Sequence, residues 1–203
     1  PVFRRQDGAD TGQNRAAFER VWDTLARGGA IALFPEGASH SDPKMRPFKT
    51  GSARMALGAA SMNPGVTVRI VPGGLYYTAK SRFRSSALLA FGPAIVVPSE
   101  PLDANGEPRA ASVRALTVTL QEALAAVTLQ ADEAAALTLV SRAERILSST
   151  GSTPVSDHDL AEQFALRQRL LAGYAARRER IPAEIAEVEA MLRGYDAQLA
   201  AAG

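Results

Sequence analysis

A short loop in the first quarter of the chain combines an acid, a glycine and a hydroxyl. Residues 34–39 read Phe-Pro-Glu-Gly-Ala-Ser and continue from the wholly apolar run 30–34. Such a run predicts a buried parallel strand, and loops at the carboxyl ends of strands in open α/β sheets are where ligands commonly bind. Glu36 can accept hydrogen bonds, Gly37 lets the backbone approach a ligand, and Ser39 supplies a hydroxyl. The alternative is a simple strand-end turn in which Glu36 caps a neighbouring segment.

The second chemical signal is a long stretch with one sign of charge. Residues 43–99 hold eight basic side chains and no acid, although the net charge of the whole chain is only +2. Such a stretch favours an anionic ligand: a phosphate, a coenzyme pyrophosphate, a nucleic acid or an anionic membrane face. A solvated basic surface is the alternative. The eight residues are Lys44, Arg46, Lys49, Arg54, Arg69, Lys80, Arg82 and Arg84.

Composition removes several classes of chemistry. The chain has no cysteine, which excludes disulfides and thiolate catalysis. Its two histidines, His40 and His158, are too few for a histidine-rich metal site. No run of about 18 apolar residues suggests a membrane-spanning helix. A nucleic-acid interface is not expected either, because no basic and aromatic platform accompanies the basic stretch.

The elements around the loop predict an α/β fold. Apolar spacing predicts a helix over 14–27, and the alanine-rich stretch 50–62 predicts a second. Strands are expected at 30–34, at 66–71 with a continuation over 75–78, and at 85–91 and 94–97. We therefore expect a mixed sheet with flanking helices, followed by a C-terminal helical region.

The second half of the chain is helical in character. Apolar residues at helical spacing run from residue 107 to residue 127, residues 134–147 are also helical in character, and polar residues follow them. Pro182 suits the first turn of a last helix. We therefore divide the chain into 1–147, a linker over 148–156, and a helical hairpin over 157–203.

Four motifs in order resemble the glycerolipid acyltransferases, which include glycerol-3-phosphate, dihydroxyacetone-phosphate and lysophosphatidate acyltransferases. Residues 34–40, Phe-Pro-Glu-Gly-Ala-Ser-His, followed by Phe-Lys-Thr-Gly at 48–51, resemble the family's third motif in its glycerol-3-phosphate branch. Residues 1–7 resemble the second motif, whose arginine matches Arg4. Ile-Val-Pro at 70–72 resembles the fourth, and 83–85 with 91–95 resemble the stretch that follows.

The resemblance implies transfer of a fatty acyl group from acyl-CoA or acyl carrier protein to a glycerol-phosphate-type acceptor in phospholipid biosynthesis. It implies substrate-binding roles for Arg4, Glu36, Gly37, Ser39 and Lys49, and no metal or redox cofactor. It also implies a cytoplasmic protein that is peripheral at the inner face of the membrane, with an upstream anchor possible.

The family's first motif, His-x-x-x-x-Asp, has no match in the chain. The residue five after His40 is Met45, and the residue five after His158 is Gln163. Residues 1–203 are therefore expected to be the later part of an acyltransferase domain, with the catalytic histidine and aspartate upstream of Pro1. The alternative function is a catalytically incomplete domain that binds lipid or phosphate.

Overall fold

A computed structural model of the chain describes residues 13–79, 81–149 and 159–202. Six helices are present in this part: α1 (Gln13–Ala26), α2 (Gly51–Met62), α3 (Ala110–Ala126), α4 (Ala134–Ser149), α5 (Leu160–Arg178) and α6 (Pro182–Ala202). The strands are β1 (Arg69–Ile70), β2 (Gly73–Tyr77), β3 (Ala87–Phe91) and β4 (Ile95–Val96). Helices hold about half of the chain, and the helix predictions are confirmed within a few residues at each end.

The chain divides into two compact units. The first contains residues up to 39, 46–72 and 91–124; the second contains 40–45, 73–90 and 125–203. These units do not follow the predicted boundaries at 147 and 157. The linker over 148–156 lies mostly outside the described residues, so that division stays a prediction.

In the first unit, α1 packs on α2. The indole Nε1 of Trp22 donates to the carbonyl oxygen of Met55 at 3.0 Å, and Phe18 is buried beside it. A Cβ built on Gly58 would lie 2.6 Å from the Trp22 ring, so the glycine is what allows the ring this close. Small side chains therefore let α2 lie deep in the core, where Leu57 and Ala59 are almost wholly buried.

In the second unit, α4, α5 and α6 pack together. Ala131, Ala136, Val140 and Leu171 form the buried cluster there. The side chain of Asp159 caps the start of α5 by accepting from the backbone N–H groups of Ala161 and Glu162. A short turn joins α5 to α6, and the Tyr174 hydroxyl donates to Glu189 Oε1 at 3.2 Å between them.

The strands differ most from expectation. β1 pairs with β4 in antiparallel register, Arg69 opposite Val96, and β2 pairs with β3, with the Thr78 N–H donating to the Ser86 carbonyl just beyond the strand ends. The described residues thus form two small antiparallel sheets, and the single mixed sheet expected from the sequence is not found among them.

The predicted buried strand over 30–34 is wrong. This segment is assigned no strand, and its side chains are exposed, with Phe34 81% accessible. An apolar run indicates β propensity, but a strand also needs a partner for its backbone hydrogen bonds. The sequence pattern alone does not show whether another strand is available to pair with residues 30–34.

Candidate substrate-binding site

The loop over 34–39 begins with a tight turn. The N–H of Gly37 donates to the Phe34 carbonyl at 3.0 Å, and Gly37 has φ +66°. Proline is favoured at the second position of such a turn, and glycine adopts positive φ without the strain that a Cβ would cause. The residue order Phe-Pro-Glu-Gly therefore dictates the turn locally.

Two hydrogen bonds join this turn to residues 46–49. The N–H of Lys49 donates to the Pro35 carbonyl at 2.9 Å, and the N–H of Arg46 donates to Glu36 Oε2 at 2.8 Å. Phe48 is buried between these two points of attachment. The third-motif loop and the Phe-Lys-Thr-Gly step, separated in sequence, therefore form one structural feature.

This feature leads directly into α2. Thr50 precedes the helix without a side-chain capping bond, and a Cβ on Gly51 would meet nothing within 4 Å. The first N–H groups of a helix have no partners within it, and they carry partial positive charge. With the exposed side chain of Lys49 next to it, the start of α2 presents donors suited to an anion.

The structure brings together three of the five predicted site residues. Glu36, Gly37 and Lys49 belong to the joined feature, and the exposed Ser39 lies at the end of the same loop. Arg4 lies outside the described residues. Glu36 is half-buried, and its carboxylate is used in part to hold the backbone at Arg46, as in the capping alternative.

His40 has a local role in its own turn. Its Nδ1 accepts a hydrogen bond from the Asp42 N–H at 3.1 Å. The same nitrogen lies 3.4 Å from Asp42 Oδ2, so both contacts are made within residues 40–42. That His40 is not the base of the missing first motif stays a prediction.

Some cations of the basic stretch 43–99 are paired with acidic side chains. Nε and Nη2 of Arg54 both donate to Glu107 Oε2, at 3.2 and 2.7 Å, and the guanidinium lies 5.4 Å from the Phe18 ring centre. In the other unit, Lys44 Nζ lies 2.6 Å from Asp132 Oδ1, and this contact lowers the pKa of Asp132. Among the described residues of the stretch, at least Arg54 and Lys44 are therefore engaged by acids from outside it.

Comparisons with known proteins match the motifs to a family. The family model described as Acyltransferase matches residues 2–75, which include the loop at 34–39 and Lys49. Glycerol-3-phosphate O-acyltransferase 1 of Saccharomyces cerevisiae is 32% identical over 184 residues, covering 90% of this chain and 24% of the relative. Glycerol-3-phosphate O-acyltransferase 2 of the same yeast is 34% identical over 163 residues, covering 80% of this chain and 21% of the relative.

A third relative agrees with these two. An uncharacterized acyltransferase of Schizosaccharomyces pombe is 32% identical over 158 residues, covering 77% of this chain and 23% of the relative. The chain thus spans about a quarter of the length of the curated relatives it matches, and no solved structure matches it significantly. On the motifs in order, the family model and these relatives, the chain belongs to the glycerolipid acyltransferase family.

Proposed function

We propose that this chain supplies the acceptor-binding part of an enzyme that acylates a glycerol-phosphate-type acceptor, with glycerol 3-phosphate as the first candidate. The acyl donor is acyl-CoA or acyl carrier protein, and the product enters phospholipid biosynthesis. The yeast relatives bear the name of this reaction, and the chain shares about a third of its residues with them over the matched region.

The observation that carries the proposal is the joining of the two motif segments. The hydrogen bonds from Lys49 to Pro35 and from Arg46 to Glu36 hold the loop beside the start of α2. The acceptor phosphate then has a cation, Lys49, and uncapped backbone N–H groups within one short stretch. Arg4 is proposed as a second phosphate ligand, because an arginine fork matches phosphate geometry.

Glu36 and Gly37 act on the loop in this proposal. The carboxylate of Glu36 fixes the backbone at Arg46, and the positive φ of Gly37 forms the turn that precedes Ser39. Placing the acceptor hydroxyl accurately can account for much of a rate enhancement, on the order of 7 kcal/mol in well-oriented cases. The loop therefore contributes by positioning, with the Ser39 hydroxyl free to contact the acceptor.

The chemistry requires a base in addition to these residues. The acceptor oxygen attacks the thioester carbonyl, a C–O bond forms, the C–S bond breaks, and the thiol leaves with the donor. The hydroxyl proton passes to a general base, for which histidine held by aspartate is suited. Neither histidine of this chain has an aspartate five positions on, so we assign no base among these residues.

The proposal places the protein at the cytoplasmic face of a membrane, where a lipid product can partition. No helix in the ranges 13–79, 81–149 and 159–202 is long and apolar enough to cross a bilayer. The protein needs no metal or redox cofactor in this reaction, since the thioester already carries the activated acyl group.

Calorimetric titration of residues 1–203 with glycerol 3-phosphate tests the binding role without requiring turnover. Lys49→Gln should weaken binding about tenfold, Lys49→Arg should restore most of it, and Arg69→Gln, which removes another exposed cation, should leave it unchanged. Equal affinity of Lys49→Gln and the unmodified chain would overturn the assignment of Lys49.

The reaction itself is tested in the complete gene product with radiolabelled acyl-CoA and glycerol 3-phosphate. Incorporation of the label into lipid that is lost in Lys49→Gln supports the proposal that the complete protein is this enzyme. Binding of glycerol 3-phosphate with no acylation by that product favours the alternative, a phosphate-binding domain without catalysis.

A further inference from the structure

The connection between β2 and β3 presents an aromatic ring directly to solvent. Phe83 is 91% exposed, the highest exposure among the large apolar side chains of the described residues. Exposing a whole aromatic ring to water has no folding benefit, because it leaves most of its apolar area unburied. A fully exposed ring in the turn of a hairpin is suited to contact with something outside the chain.

The ring stands between two cations. Arg82 and Arg84 are exposed, and no carboxylate lies within ion-pair distance of either in the described residues. They belong to the stretch 43–99, which contains no acid at all. The tip therefore combines one apolar ring with two positive charges that have no internal use.

The backbone of Arg84, at the tip of the hairpin, adopts a positive φ that is unfavourable for a residue with a Cβ. The Ser85 N–H donates to the Arg82 carbonyl at 3.3 Å, closing a turn in which Arg84 has φ +59°. Arg84 is the sole non-glycine residue with positive φ in the described part of the chain. Glycine is the usual residue at this position of such a turn. Arg84 thus occupies a backbone position that favours glycine, and its side chain is exposed to solvent.

The outer face of the same hairpin is apolar. β2 alternates, with Gly74 and Tyr76 buried on one side and Leu75 and Tyr77 exposed by 50% and 46% on the other. Leu89 of β3 is 50% exposed on the matching side. Because side chains alternate across a strand, these residues extend an apolar surface back from the tip.

We infer that the hairpin tip Arg82-Phe83-Arg84, with Leu75, Tyr77 and Leu89 behind it, docks on an anionic lipid bilayer. Aromatic rings prefer the membrane interface, and basic residues beside them bind anionic headgroups. Stable attachment requires two signals, which here are the ring with its apolar face and the pair of arginines. This surface deepens the proposed function, because it would hold the acyltransferase at its lipid product. An acidic protein partner would satisfy the arginines, but it would not require an exposed ring and an exposed apolar sheet face.

Vesicle co-sedimentation of residues 1–203 tests the inference. We expect binding to phosphatidylcholine vesicles that contain about a third phosphatidylglycerol, and little binding to phosphatidylcholine alone. Arg82→Gln and Arg84→Gln should each weaken binding about fivefold, and Phe83→Ala more than tenfold. Arg114→Gln and Val118→Ala, exposed positions on α3, are the matched charge and apolar controls.

A fluorescent label locates the contact, since the chain has no native cysteine. Ser81→Cys carrying an environment-sensitive dye should brighten on anionic vesicles, whereas Ala172→Cys on α5 should not. Vesicle binding that is unchanged in Phe83→Ala would refute the inference, and so would vesicle binding without a change in dye fluorescence at position 81. Specific binding of the tip to an acidic carrier protein, without vesicle binding, would also refute it. These readouts use no substrate, so a failure of acyl transfer in the complete gene product leaves them intact and counts against the proposed function alone.

Discussion

A buried hydroxyl in the second unit should weaken the fold. Tyr76 is 8% exposed, and its hydroxyl has no hydrogen-bond partner in the described residues. Its ring packs against Phe164 at 5.6 Å and lies 5.4 Å from the Arg167 guanidinium, contacts that a phenylalanine ring would keep. Leaving a buried hydroxyl unsatisfied costs about 1–3 kcal/mol, and removing it leaves only a small void. We therefore expect Tyr76→Phe to raise the free energy of unfolding by about 1 kcal/mol.

The assay is thermal and urea unfolding of residues 1–203, followed by circular dichroism. A gain of about 1 kcal/mol corresponds to a rise of about 2–4 °C in Tm for a chain of this size. Tyr77→Phe is the matched control, because it removes the same atom from the exposed face of β2, and it should change stability by less than about 0.5 kcal/mol. A Tyr76→Phe variant less stable than the unmodified chain by 1 kcal/mol or more would refute the reasoning, because the hydroxyl would then have a partner that stabilises it.

The same pair of variants makes a pH-dependent prediction. Burial raises the pKa of Tyr76 above its ordinary value of 10.0, Glu144 adds to the rise and Arg167 opposes it. Above pH 10 the unfolded chain loses this proton more readily than the folded chain, so stability falls as pH rises towards the folded pKa. Phenylalanine has no proton to lose. The advantage of Tyr76→Phe should therefore be constant below pH 10 and grow above it; a constant advantage at every pH would contradict the assigned shift.

Three further predictions concern other parts of the chain. Gly74→Ala should lower the free energy of unfolding by about 3 kcal/mol, because the new Cβ would lie 1.8 Å from the Val127 carbonyl oxygen. Gly51→Ala is the control: its Cβ would contact nothing within 4 Å, so it should cost little in the same urea titration. Arg84→Gly should raise stability by about 0.5–1 kcal/mol by removing the strain of positive φ, while weakening vesicle binding; a loss of stability would show that the turn is not strained. Residues 1–203 alone should transfer no measurable acyl label from acyl-CoA, and robust transfer would show that they contain a base we have not identified.

The helices of this chain could be predicted because their information is local. Apolar spacing within α1 and α5, and Pro182 at the start of α6, depend only on residues a few positions apart. The turn at 34–37 was predictable for the same reason, since proline and glycine set its backbone directly. Pairing of the strands depends on distant residues, and an apolar run does not identify its partner. That is why the strand over 30–34 was wrong and the expected mixed sheet was replaced by two antiparallel pairs.

The candidate site shows the same division between local and distant information. The motifs identified the loop and Lys49, but not the hydrogen bonds that join them. Capping of a neighbouring segment by Glu36 was one of the two alternatives, and the structure shows that this segment is the backbone at Arg46. The uncapped start of α2 was also missed. Thr50 precedes Gly51, and the structure shows that its side chain makes no capping bond.

The basic stretch illustrates why charge along a sequence does not equal charge at a surface. Glu107 lies 53 residues beyond Arg54, and Asp132 lies 88 residues beyond Lys44, yet each acid meets its cation in the fold. These pairs remove charge that an anionic ligand could otherwise use. Two of the places where cations of the stretch are exposed differ in chemistry: Lys49, beside backbone donors suited to one phosphate, and the hairpin tip, where two arginines flank an aromatic ring. Added salt should therefore weaken phosphate binding and vesicle binding alike, whereas loss of the Phe83 ring should weaken vesicle binding alone.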